Sequence, residues 1–212
     1  MLPCIQNHLD KIRDYTSYQS ASLAAATGLA TGLLLLISQV TAPAIAMRQY
    51  EDQQMALALV MPVARYSNDL IATSTNWRVD GRQYQLFTAS DNGAASGYVV
   101  ETEASGYAGP IKLMIGLDEQ LQIIGVRVLS HAETPGLGDK IEVAKHDWIT
   151  SFDGLSLTNT PENQWAVKKD GGEFDQFSGA TITPRAVVNR VHQALLDLES
   201  LAHAKASEGE SS

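Results

Sequence analysis

Three hydroxyls and a glycine crowd into one short stretch, Asp175-Gln-Phe-Ser178-Gly179-Ala180-Thr181-Ile-Thr183-Pro184, just ahead of an apolar-periodic run. Thr183 is a suitable helix N-cap and Pro184 suits the first helical position. Val187, Val191, Leu195 and Leu198 then form one stripe of the predicted helix. Free amides and the positive end of the helix dipole make such a start an anion site, with each charge stabilised by about 0.3–1 kcal/mol at exposed positions. Small residues at 179 and 180 let a bulky phosphate approach, and Lys168, Lys169 and Arg185 can screen its charge. Capping by Thr183 explains Thr183 alone and leaves the Ser-Gly-Ala-Thr run ahead of it without a purpose.

A second loop, His131-Ala-Glu-Thr-Pro-Gly-Leu-Gly-Asp-Lys140, follows a predicted strand. Pro135, Gly136 and Gly138 permit sharp turns that aim backbone amides at a ligand, although a plain strand-to-helix connection would use the same residues. Other chemistries are poorly supported. Gly136-Leu-Gly138 begins like a dinucleotide loop, but Ile141 stands where the third glycine belongs, and P-loop, CxxCH, HExxH and GxSxG patterns are missing. His131 and His146 could share a metal, yet nothing nearby completes a ligand set, so no metal site is expected. A hydrolase built on Ser178 lacks a base partner. A single cysteine excludes an internal disulfide framework and a cysteine-ligated iron–sulfur cluster within one chain. A net charge of −9 argues against nucleic acid.

The elements that must position these loops begin with an anchor. No charged residue occurs between Asp14 and Arg48, and the apolar core of that window, residues 21–42, would make a helix of about 33 Å against a hydrocarbon layer of about 30 Å. Ala44-Ile45-Ala46 resembles a signal-peptidase site, but the leader is long for a signal peptide, and a retained transmembrane helix is the preferred reading. Lys11 and Arg13 before it, against Arg48 after it, favour a cytoplasmic N-terminus and an exported remainder carrying all of the net charge. A juxtamembrane helix should bend or stop at Pro62. Weak strand signals appear around Tyr84–Phe87 and stronger ones in 97–106. Ile111–Leu117 and Leu121–Leu129 read as a hairpin about Asp118-Glu119-Gln120. Apolar spacing at 141, 144, 148 and 152 predicts a helix over 140–152, Trp165–Val167 a short strand, and the chain after Leu201 a fraying tail. Strands followed by helices in this order indicate an α+β fold.

Asp175-Gln-Phe-Ser-Gly-Ala-Thr181 resembles the D-x-x-S/T-G-A-T flavinylation motif of FMN-binding domains. Together with HAETPGLGDKI at 131–141, WAVKKDGGEFDQFSGATITPRAVV at 165–188 and the single N-terminal span, it is similar to the G subunit of the Rnf (Rsx) ion-translocating ferredoxin:NAD oxidoreductase. The resemblance implies a single transmembrane helix followed by an FMN-binding domain with an antiparallel sheet and flanking helices. It divides the chain into a cytoplasmic segment 1–20, a span 21–42, a juxtamembrane helix and connector 48–90, the FMN-binding domain 91–201 and a flexible tail 202–212. It implies FMN covalently held by a phosphoester on Thr181, placed there from FAD by a flavin transferase that reads Asp175. Ser178, Gly179, Ala180, Thr183 and Lys168 would line the cofactor on one side and Glu133, Thr134, Leu137 and Gly138 on the facing loop. The expected role is an electron carrier that does not itself react with NAD, in the bacterial inner membrane with its FMN domain periplasmic and the other Rnf subunits as partners. Two further readings share the motif: the C subunit of the sodium-translocating NADH:quinone reductase, and a membrane-tethered flavin-binding sensory module.

Overall fold

The chain divides into two compact units, residues 1–52 and 53–212, and a computed structural model describes the backbone of residues 2–209 and the side chains of residues 19–204. The described residues of the first unit are all helical. Helix α1 (Leu2–Ala58) continues without interruption past Pro43 and ends before Pro62, so the expected juxtamembrane helix is the last stretch of α1 itself. Residues Gln19–Ala58 are long and apolar enough to cross a membrane, and none of the apolar window is buried.

The second unit is built on a five-stranded antiparallel meander in the order β1-β2-β3-β4-β5. The strands are β1 (Thr75–Val79), β2 (Arg82–Asp91), β3 (Ala94–Ser105), β4 (Pro110–Asp118) and β5 (Ile123–Ser130). The predicted hairpin is present as β4–β5. Strand β1 gave no sequence signal because TNWRV is a mostly exposed edge without an apolar alternation. It is held by the cross-strand pair Trp77 and Tyr84, whose rings stack at 4.9 Å. The domain start expected at residue 91 falls at the β2–β3 turn, inside this sheet.

Both faces of the sheet are covered. On one, Leu86, Val100, Leu113, Ile115 and Val126 pack with Val187, Val191, Leu195 and Leu198 of α2 (Ile182–Gly209), so the predicted stripe is the core face of that helix. On the other, Phe87, Val99 and Met114 meet Leu57, Val60 and Met61. There the chain lies against β4 so closely that a Cβ on Gly116 would stand 2.1 Å from the Val60 carbonyl oxygen. Only glycine fits.

Between β5 and α2 the connection differs from the expected helix and strand. Residues 140–152 form two short 3-10 segments, Gly138–Ile141 and Asp147–Phe152, split where His146 is extended and its Nδ1 accepts the Trp148 amide at 3.0 Å. Of the four predicted apolar positions Ile141, Trp148 and Phe152 are buried and Ala144 is exposed, with Ile149 buried as well, because consecutive turns and not one helix set the period. Around Trp165–Val167 only Val167 bridges another strand-like residue, Phe174, because the turn folds Gly172 onto the Ala166 carbonyl. Helix α2 continues to Gly209, taking in most of the stretch expected to fray, with Ala202–Ala204 exposed.

Candidate functional site

Two turns of the same kind face each other. In Thr134-Pro135-Gly136-Leu137 the Leu137 amide donates to the Thr134 carbonyl at 3.1 Å, and Gly136 has φ +78°. Proline second and a positive-φ glycine third is the pattern of a type II turn. In Phe177-Ser178-Gly179-Ala180 the Ala180 amide donates to the Phe177 carbonyl at 3.2 Å, with Gly179 at φ +81°. A Cβ on Gly179 would come within 3.1 Å of the Leu137 Cδ2 atom, so the first turn rests its leucine on the second turn's glycine.

The second turn is pinned on both sides and raised between them. Upstream, the Trp148 indole N–H donates to the Asp175 carbonyl at 2.8 Å, and Phe177 is buried edge-on against the same indole at 5.1 Å. Downstream, α2 begins at Ile182, one residue earlier than the predicted cap. The Thr183 hydroxyl does not cap the helix; it is fully buried and donates to Glu133 Oε2. Thr181 occupies the position just ahead of the helix, exposed, with no hydrogen bond to its side chain among the described residues. The free amides and positive end of a long helix therefore lie beside an exposed hydroxyl.

Glu133 ties three segments together. Its Oε1 accepts the Ala108 amide of the β3–β4 turn at 3.2 Å, and its Oε2 accepts the α2 hydroxyl of Thr183. Its own amide donates to His131 Nδ1 at 3.0 Å, which leaves the imidazole proton on Nε2 to face Glu142 at 2.7 Å. Lys145 bridges Asp139 and Glu142 at 3.1 and 2.6 Å. Asp139 is held below the usual carboxylate range by the Gly136 backbone and then by Lys145, and Glu142 by Lys145 and then by His131.

These segments enclose a cavity of about 320 Å³, lined by Tyr107, Glu133, Thr134, Leu137, Gly138, Gly179, Ala180, Thr181, Ile182 and Thr183. That volume is at the lower end of small-molecule pockets, about 300–1,000 Å³. Eight of the expected residues meet here: Thr181, Gly179, Ala180, Thr183, Glu133, Thr134, Leu137 and Gly138. Ser178 is exposed in the turn but outside the lining. Lys168 is also outside it, paired with Asp175 at 2.6 Å, and Arg185 is engaged by Asp170 at 2.6 Å, so neither reaches the cavity as a free cation. Asp175 is exposed. Tyr107 and Ile182 join the rim without having been singled out from the sequence; the one signal for Tyr107 was its place between Gly106 and Gly109. A larger, more open cavity of about 580 Å³ lies over β2 and β3 beside Arg82 and Arg190, and it contains none of the expected residues.

Residues 106–196 match the FMN-binding domain family, bounds that take in the β3–β4 turn and both type II turns. The G subunit of the ion-translocating oxidoreductase complex from Stutzerimonas stutzeri is 47% identical over 186 residues, covering 86% of this chain and 81% of its own. The corresponding G subunit of Cereibacter sphaeroides is 46% identical over 164 residues, covering 77% and 75%. This chain belongs to the family of ion-translocating oxidoreductase G subunits. The Photorhabdus laumondii member, at 42% over 185 residues, covers 85% of the chain and 88% of its own length. A crystal structure of Shewanella oneidensis NqrC aligns over 60% of this chain and 64% of that one, with 25% identity and a TM-score of 0.40. The lining sets apolar Tyr107, Leu137 and Ile182, exposed at the rim, beside hydroxyl and backbone groups, the mixed character that suits a flavin. Gly138 is packed tightly there, since a Cβ on it would stand 2.7 Å from Glu133 Oε2.

Proposed function

We propose that this chain is the electron-carrying G subunit of an ion-translocating oxidoreductase complex of the Rnf type, holding FMN through a phosphoester on Thr181. The carrying observation is the contrast between two threonines on one cavity: Thr183 is buried and bonded to Glu133, whereas Thr181 is exposed at the head of α2. Thr181 Oγ attacks the FMN-side phosphorus of FAD on a flavin transferase; the new O–P bond replaces the bond to AMP, which leaves, and the hydroxyl proton is released. Helix amides and the dipole of α2 then lie beside the phosphate. Asp175, fixed through its carbonyl by Trp148 and through its carboxylate by Lys168, is the residue presented to the transferase. Ser178 stands in the same turn, and Lys168 acts through Asp175 and not on the cofactor.

The bound flavin supplies the ability to take up and release electrons, and the chain supplies position and electrostatics. It has no site of its own for NAD, and its partners are the other subunits of the membrane complex. Residues 1–20 are cytoplasmic, the span comprises 21–42, and the FMN-binding domain is periplasmic in the bacterial inner membrane. The test is a denaturing gel under ultraviolet light of chain coexpressed with the transferase. Wild type gives a fluorescent band and Thr181→Ala gives none; a fluorescent Thr181→Ala band overturns the attachment site.

A further inference from the structure

Glu133 is more closely accommodated than its two hydrogen bonds require. A Cβ on Gly106 would stand 2.3 Å from Oε1 and one on Gly138 would stand 2.7 Å from Oε2, so two separate loops leave out a side chain to admit this carboxylate. It is 5% exposed, and both oxygens act only as acceptors, the pattern of an ionised carboxylate. Among the described residues no ion pair reaches it; the lysine of the neighbouring network, Lys145, is spent on Asp139 and Glu142, and His131 turns its protonated nitrogen to Glu142. A neutral amide has one acceptor oxygen and cannot accept from both donors, whereas the carboxylate accepts the Ala108 N–H on Oε1 and the Thr183 O–H on Oε2. Its charge also acts beyond these two bonds, because a buried carboxylate without an ion pair is poorly screened.

We infer that Glu133 is a positioning residue with an electrostatic role: it locks the first turn of α2 beneath Thr181 and places a fixed negative charge in the cavity wall. That charge opposes electron uptake by a group held there and lowers its reduction potential. The inference rests on the flavin being attached at Thr181. Reduction adds negative charge, and in a partly water-excluded site the repulsion from a carboxylate is screened far less than in bulk water.

Glu133→Gln separates the charge from the clamp. Its amide oxygen can accept the Ala108 N–H while its amide nitrogen donates to the Thr183 oxygen, so both contacts are kept, the second with its direction reversed. The full chain, loaded by coexpression with the transferase, is titrated spectroscopically for midpoint potential. Glu133→Gln is expected to load flavin, melt at the wild-type temperature and shift to higher potential. The control Glu119→Gln removes the same charge from the exposed β4–β5 turn, at the other end of the eight-residue β5 and about 26 Å of strand away, and should leave the potential in place. A Glu133→Gln potential at or below wild type overturns the inference, as does an equal shift in Glu119→Gln. If Glu133→Gln loads no flavin, Thr134→Lys decides: a cation at this exposed position in the cavity lining should raise the potential, and an unchanged value overturns the role of local charge. A wild-type chain that carries no flavin overturns the attachment reading instead.

Discussion

Between Ser178 and Thr183 the chain offers three hydroxyls on six consecutive residues: Thr183 is buried and bonded to Glu133, Ser178 is exposed outside the cavity, and Thr181 is exposed on its lining. The turn that lifts Thr181 into reach depends on Gly179 at φ +81°. Gly179→Ala brings a Cβ into a left-handed conformation and to 3.1 Å from Leu137. We expect a loss of about 1 kcal/mol, read as a lower melting temperature, and slower flavin loading on a gel time course. Trp148→Phe keeps the aromatic contact with Phe177 and removes the indole donor to Asp175. It should cost about 0.5–1.5 kcal/mol and slow loading although every residue of the motif is intact. Motif residues were legible because they are contiguous and their types are unusual together. Gly106, Tyr107 and Trp148 were not, because only the folded chain brings such distant residues against the two loops.

Helix α2 begins directly after Thr181 and is tied to the sheet further along by a polar clamp. Asp197 accepts the Arg82 guanidinium at 2.8 and 3.0 Å and the Tyr84 hydroxyl at 2.6 Å. Burial pushes the Asp197 carboxyl up, but the bonds from Arg82, Tyr84 and Gln193 outweigh it and hold the group below its usual range. A lowered carboxylate contributes stability above its unfolded pKa, near 3.9, and loses it as pH falls through the folded value. Tyr84 is pushed up to about 12, first by burial and then by Asp197. A raised phenol contributes stability below about 10 and loses it as pH rises from there toward 12. Denaturant melts across pH should therefore show an acid limb below about pH 4 that Asp197→Asn flattens. They should also show an alkaline limb between about 10 and 12 that Tyr84→Phe flattens. Helix α2, with one buried face, was readable from its period, and the β4–β5 hairpin from two apolar runs about a polar turn. The 3-10 segments of 138–152 bury the same residue types at helix-like spacing, and β1 is held by one aromatic pair, so tertiary packing decided both.

At the scale of the whole chain, charge and hydropathy are segregated: the window between Asp14 and Arg48 has no charges, and the acidic excess lies after it. If the N-terminus is cytoplasmic, as proposed, the single cysteine, Cys4, should resist a membrane-impermeant maleimide in cells with a permeabilised outer membrane and react once the inner membrane is opened. A cysteine placed at Glu119 should react in both cases; labelling of Cys4 from outside would reverse the orientation. The anchor was legible because a long uncharged apolar run needs no tertiary context, whereas the continuity of α1 past Pro43 was not, since proline usually marks a break. In the meander each strand pairs with its predecessor, so the sheet can assemble in the order in which the chain is delivered. The acceptor turn and α2 come last, and Thr183 finds Glu133 only when the helix closes over the finished sheet. With attachment at Thr181 as proposed, loading would become a checkpoint: a chain that stalls short of the native state would present no formed acceptor, and the flavin would mark molecules that have completed folding.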